Sequence, residues 1–145
     1  EAKEFIERYF EKYSTIHALQ ERFLEQARKE GFTETLFGRR RYLPEIKGKG
    51  FLKRMAEGAA INTPIQGSAA EIIKLAMIEV DRRITDKQMQ SRMILTVHDE
   101  LVFDALSEEA DELCEIVKQT MENVVGLEVP LLVEIGKGEN WLDAH

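Results

Sequence analysis

The chain has little that would staple, export or anchor it. Cys114 is the only cysteine among 145 residues. Neither a disulfide framework nor a cysteine-based zinc site can therefore be built, and a reducing, cytoplasmic setting fits. No apolar run approaches the ~20 residues that a membrane span needs. The first residues, Glu1-Ala2-Lys3-Glu4-Phe5-Ile6-Glu7-Arg8, read as the inside of an amphipathic helix and not as a charged-then-apolar leader, so secretion is not expected. Internal repeats, low-complexity tracts and clear domain linkers are missing too. The chain contains no Gly-x-Ser-x-Gly elbow and no Gly-rich phosphate loop ending in Lys-Ser/Thr, which leaves nucleophilic triads and P-loop chemistry without a base. Histidines are scarce: His17 and His145 join His98. They do not supply the clustered imidazoles of a His-Asp metallophosphohydrolase.

What is present suits one globular domain. The composition is 43% hydrophobic and 32% charged, which argues against disorder. A chain of this length buries roughly 68–70% of its unfolded surface. The net charge of −7 runs against the basic surface that nucleic acid wants. Its distribution does not: from Arg28 to Arg54 there are nine basic residues against three acidic ones. Such a stretch on an acidic body can hold phosphate locally with salt-sensitive affinity, or can be a solvated arginine-rich loop.

Apolar residues at three-and-four spacing (Phe5, Ile6, Tyr9, Phe10, Tyr13, then Ile16, Leu19, Phe23, Ala27) predict one or two amphipathic helices, with Ser14 a cap for the second. Thr33 to Leu36 and Arg41 to Leu43 predict a short hairpin turning at Gly38, ended by Pro44. Lys47-Gly48-Lys49-Gly50 is a joint before a helix from Phe51 to about Ala60, weakened by Gly58. Thr63-Pro64-Ile65-Gln66 has the form of a helix start, with Thr63 as N-cap, Pro64 at the first helical position and Gln66 closing a capping box. That helix runs to about Arg83 with Ala69, Ile72, Ile73, Ala76, Met77 and Val80 inward. Ser107 caps an acidic helix that turns Leu113, Ile116, Val117, Met121 and Val124 inward and ends at Gly126. Strands at 92–97, 101–104 and 129–135 complete an α+β fold: a small, mostly antiparallel sheet with helices on one face.

The most informative stretch is Met93-Ile94-Leu95-Thr96-Val97-His98-Asp99-Glu100-Leu101-Val102-Phe103. β-formers flank a short polar break, which predicts strand, tight turn, strand with His98 and Asp99 at the turn. Carboxylates there need a compensating partner, and a divalent metal is the sharpest candidate. Adjacent strand residues point to opposite faces, so one of the pair, Asp99, is the better ligand. Two-metal phosphoryl transfer holds ions about 3.5–4 Å apart with oxygens from at least two chain segments, and one hairpin supplies only part of that. A turn aspartate beside a solvated glutamate is the plain alternative.

Asn62 and Gln66 form a second constellation, four apart and followed by Gly67, Ser68, Ala69 and Ala70. Small residues admit a close backbone. Amide side chains can donate to the purine N3 and pyrimidine O2 acceptors that every base pair shows in the minor groove, which suits binding that ignores sequence. The capping box explains Gln66 equally, and the turn before Pro64 explains Asn62.

These residues resemble a known family. Val97-His98-Asp99-Glu100, preceded by Ala60-Ile61-Asn62-Thr63-Pro64-Ile65-Gln66-Gly67-Ser68-Ala69-Ala70, is similar to the C-terminal part of the bacterial DNA polymerase I family, the family A DNA polymerases. So are Thr35-Leu36-Phe37-Gly38-Arg39-Arg40-Arg41-Tyr42-Leu43-Pro44 and the ending Gly138-Glu139-Asn140-Trp141-Leu142-Asp143-Ala144-His145. The resemblance covers nearly all of the chain, in order.

It implies a polymerase palm with part of the fingers over residues 1–145, with no second domain, in an enzyme that joins deoxynucleoside triphosphates to a primer 3′ end during DNA replication or repair. Asp99 would be a palm carboxylate holding Mg²⁺, Glu100 an acidic group near the primer terminus, and His98 a primer-strand contact. Asn62 and Gln66 would touch the minor groove of primer-template DNA, with Arg39, Arg40 and Arg41 on the DNA-facing side. Two departures stand out. Gly58 occupies a position where the family usually has arginine, and the family's other metal aspartate and its Lys/Tyr nucleotide-binding helix are not among these residues. The resemblance therefore implies a fragment that does not polymerise alone and that self-associates through exposed apolar surface. A non-catalytic DNA-binding module and a plain structural domain with solvated hairpin acids are the competing readings.

Overall fold

Residues 2–144 are described by the computed structural model. Glu1 and His145 lie outside the described residues, and with them the last residue of the ending motif. Two compact units divide the chain, Glu1–Ser68 and Ala69–His145.

The first unit begins with α1 (Ala2–Lys12) and α2 (Ser14–Glu30), the two amphipathic pieces that the spacing predicts. Ser14 is the first helical residue and not a cap; Tyr13 occupies the cap position and no side chain closes it. Much of the expected inward stripe is exposed, Phe5 at 72% and Ile6 at 53%. Its aromatic members contact one another: Tyr9 lies 5.0 Å from Tyr13 and Phe10 lies 4.9 Å from the His17 ring. Leu24 and Ala27, near the end of α2, are buried. Gly31, left-handed at φ 78°, ends that helix by donating to the Ala27 carbonyl.

Strands β1 (Phe32–Glu34) and β2 (Arg40–Tyr42) pair antiparallel around Gly38, also left-handed at φ 79°, as the sequence predicts. Pro44 ends this hairpin and opens a 3₁₀ turn, Pro44–Lys47. Helix α3 (Gly50–Asn62) packs Ala56 and Ala60 with Leu24, Ala27, Leu43 and Ile46 to form the core of this unit.

The expected helix start at Thr63 is absent. Thr63 is itself helical (φ −61°, ψ −43°) and donates its N–H to the Ala59 carbonyl, and Thr63–Gly67 form a π-helical turn. A proline inside a helix has no N–H to give and crowds the carbonyl four residues back, and a wide turn relieves the crowding. No capping box exists here, so Gln66 has no capping role.

In the second unit, α4 (Ser68–Asp86) buries Ala76, Val80 and Ile84, while Ala69, expected inward, is exposed. It ends in a Schellman motif. Met89 N–H reaches the Ile84 carbonyl at 3.1 Å, Gln88 N–H reaches Thr85 at 2.9 Å, and Gln88 is left-handed at φ 56°. Strands β3 (Arg92–Val97) and β4 (Glu100–Asp104) pair antiparallel. Helix α5 (Ala110–Asn123) places Leu113 and Val117 against Val80 and Ile84, with Met89, Met93, Phe103 and Met121 around them. Its cap position is Glu109 and not Ser107, which lies in the preceding turn.

Residues 129–135 form no strand. The alternation is there in the sequence, but a strand exists only where a neighbour takes up its backbone groups, and the described sheets are two separate two-stranded ones. Leu132 is accordingly 84% exposed. Fold class is unaffected: the chain is helix-rich α+β with small antiparallel sheets.

Candidate nucleic-acid interface and acidic hairpin

The β3–β4 hairpin turns in two residues. Val97 pairs with Glu100, leaving His98 and Asp99 as the whole loop. His98 is left-handed at φ 55°, a conformation uncommon for a residue with a Cβ. Two-residue hairpin loops need such a residue to match the strand twist. Asp99 is exposed at the tip, and Glu100 is the first residue of β4. A register shift between Met93 and Leu95 marks a bulge in β3, where Ile94 is the extra residue. The bulge redirects every side chain between it and the turn, so it belongs to the geometry that aims the tip.

Both carboxylates are hard oxygen donors of the kind a Mg²⁺ ion takes. Among the described residues no group of three His, Cys, Asp or Glu side chains gathers where it could hold a metal. The donor chemistry fits such an ion, and the ligand number supplied by these residues is partial.

The base of the hairpin is held by a residue that sequence reasoning did not single out. The Glu109 carboxylate accepts from the Gln90 N–H (3.0 Å), the Ser91 N–H (2.8 Å) and the Ser91 hydroxyl (2.6 Å). Ser91 Oγ accepts in turn from Leu106 N–H at 3.1 Å. The Ser91 hydroxyl and these amide donors hold the Glu109 carboxyl below the usual carboxylate range. Local signals place a cap at Ser107; nothing local shows that Glu109 would reach back 18 residues.

In the first unit, Asn62 ends α3 and Gln66 sits in the π-turn, both exposed. Arg40 and Arg41 are neighbours on β2 and point to its opposite faces. Arg40 Nε reaches Glu34 at 3.2 Å and its guanidinium lies 4.4 Å from the Phe32 ring centroid. Arg41 Nη1 donates to Thr63 Oγ1 at 3.3 Å. Arg39 lies in the turn before β2, is exposed, and donates its backbone N–H to Thr35 Oγ1 at 3.1 Å. Part of the basic stretch is matched by acids: Arg28 donates to Glu57 at 2.7 Å, and Lys53 lies 3.8 Å from the same carboxylate. The Arg28 hydrogen bond lowers the Glu57 pKa.

The chain is a helix-rich α+β protein with an exposed carboxylate at a hairpin tip. Comparison with known proteins gives the family. The model for DNA polymerase family A matches residues 1–143. The chain is 47% identical to DNA polymerase I of Bacillus caldotenax over 99% of its own length and 16% of that protein's. It is 46% identical to the thermostable DNA polymerase I of Thermus aquaticus, over 99% of its length and 17% of that protein's. Among solved structures, the POL domain of Pol1 from M. smegmatis, in complex with DNA primer-template and dNTP, superposes with a TM-score of 0.95 at 46% identity. That match covers 99% of this chain and 25% of the other. The chain belongs to DNA polymerase family A, and it spans about one sixth of the length of the curated relatives it matches. No described helix is long and apolar enough to cross a membrane.

Proposed function

We propose that these 145 residues are the part of a DNA-directed DNA polymerase that carries one palm metal carboxylate, Asp99, together with primer-template contacts, and that they do not extend a primer by themselves. They form parts of the palm and fingers of one polymerase domain acting in replication and repair, in the cytoplasm. The observation that carries this is the exposed aspartate on a two-residue turn with a left-handed His98 before it, in a chain that matches a DNA- and dNTP-bound POL domain along its length.

In the proposed reaction the primer 3′-hydroxyl oxygen attacks the α-phosphorus of the nucleotide. The bond from that phosphorus to the pyrophosphate oxygen breaks, pyrophosphate departs, and the hydroxyl proton passes to solvent water. Asp99 would be one of the groups holding Mg²⁺, which when bound would supply Lewis-acid stabilisation of the developing charge. Asp99 contributes a ligand oxygen from a tip whose direction is set by the bulge at Ile94 and the turn at His98. Glu100 adds negative charge close to the primer end, and His98 donates to the primer strand. Asn62 and Gln66 donate to minor-groove acceptors common to all base pairs, so they read pair geometry and not sequence. Arg39, Arg40 and Arg41 provide salt-sensitive attraction to phosphate. The exposed apolar residues of α1 support self-association of the fragment.

Primer extension with Mg²⁺ and four deoxynucleoside triphosphates, using the chain lengthened upstream to include the rest of a polymerase domain, tests this. Extension is expected and should vanish with Asp99→Ala. A folded, lengthened chain that binds duplex with unchanged affinity in Asp99→Ala, with or without Mg²⁺, and never extends would make it a DNA-binding module instead.

A further inference from the structure

Pro64 creates a problem that the β1–β2 hairpin solves. In an α-helix the Ala60 carbonyl would accept from the N–H of residue 64, and proline has none. Ala60 is fully buried, so bulk water does not reach that carbonyl to replace the donor. The Thr33 hydroxyl on β1, 1% exposed, donates to the Ala60 carbonyl at 3.2 Å. A second link runs from the loop of the hairpin: Leu36 N–H donates to Ser68 Oγ at 2.7 Å, and Ser68 Oγ donates to the Pro64 carbonyl. A third is the Arg41 bond to Thr63 Oγ1. Gly67 completes the fit, since a Cβ there would lie 2.6 Å from the Thr35 methyl.

The contacts fall on Ala60, Thr63, Pro64, Gly67 and Ser68, in and beside the π-turn. Widening a turn from α to π spacing changes the direction in which Gln66 leaves the helix relative to Asn62. We infer that the β1–β2 hairpin is a brace that holds residues 63–67 in π-helical geometry and thereby sets the directions of Asn62 and Gln66, with Thr33 and Ser68 as positioning residues. They touch no DNA in this scheme; they act through the turn. The DNA consequence rests on the reading under Proposed function, whereas the brace itself does not.

The test uses the 145-residue chain with Thr33→Val, which keeps shape and loses the donor, Thr33→Ser, which restores it, and Ser68→Ala. Amide hydrogen exchange at residues 65–68 should quicken about tenfold in Thr33→Val and Ser68→Ala and return towards normal in Thr33→Ser, while amides around Leu24 and Ala27 in α2 keep their rates. Unchanged rates at 65–68, or equal quickening throughout the unit, would overturn the brace. In parallel, affinity for primer-template duplex should fall about fivefold in Thr33→Val, and this loss should disappear when Asn62 and Gln66 are both alanine. If the unaltered chain binds no duplex, the DNA consequence fails and the exchange rates still judge the brace.

Discussion

Glu109 and Ser91 are joined twice, through the Ser91 N–H at 2.8 Å and its hydroxyl at 2.6 Å, and this double link ties the start of β3 to the residue that precedes α5. The hairpin bearing Asp99 is therefore closed at its base by a carboxylate that must stay ionised to accept all of its donors.

The sign of the pH dependence follows. The Glu109 pKa is lowered in the folded chain, so its contribution to stability is complete above the unfolded carboxylate value and is lost as pH falls through the depressed one. Glu79, held at about 2 by hydrogen bonds from Arg82 and Arg83, loses its contribution over a window reaching lower still. Urea midpoints measured from pH 7 to pH 3 should drop less in Glu109→Gln than in the unaltered chain. Parallel curves would show that this carboxylate does not gain from folding.

Gly67→Ala sets two effects against each other. Alanine favours a helix over glycine by about 1 kcal/mol. The new Cβ would meet the Thr35 methyl at 2.6 Å, and Thr35 is buried with its hydroxyl engaged by the Arg39 N–H. Overpacking of that kind costs roughly 1–3 kcal/mol, so net destabilisation is expected, with Thr35→Ser in the same chain restoring most of it. A stabilised Gly67→Ala chain would show that Thr35 moves aside freely.

Gly58 lies inside α3 and is exposed, with nothing within 4 Å of the place a Cβ would occupy. Gly58→Arg should stabilise the chain by about 0.5–1 kcal/mol through backbone entropy alone, readable in a thermal melt. If the face meets DNA, the same change should also steepen the salt dependence of duplex binding.

Gln88 occupies the left-handed position of the Schellman motif that ends α4, where glycine carries no steric penalty. Gln88→Gly is predicted to raise stability by a few tenths to about 1 kcal/mol, an unusual direction for a glycine substitution. Denaturation that shows a loss would mean that the Gln88 side chain makes a compensating contribution.

The candidate site was legible in proportion to how local its signals are. His98 and Asp99 were readable as a turn because β-formers on both sides bracket a two-residue break, and Gly38 was readable because a turn between two short β-forming runs favours glycine. Asn62 and Gln66 were readable as a pair, but the pattern around them pointed to a helix start. Thr-Pro-x-Gln has that meaning only when the chain before it is not already helical, and here α3 arrives at Thr63 in helical conformation.

By itself the sequence determined the helices, the two hairpins and the residue types offered at each tip, because three-and-four spacing, alternation and turn residues act over a few positions. Tertiary structure decided what happens where a backbone group needs a distant partner. Ala60 keeps its place beside Pro64 because Thr33, 27 residues away, supplies a donor. Glu109 turns to Ser91, 18 residues away, and Ser107 is left without a capping role. Residues 129–135 stay unpaired as strands for want of a neighbour. A hydrogen bond has two ends, and short-range pattern encodes only one of them.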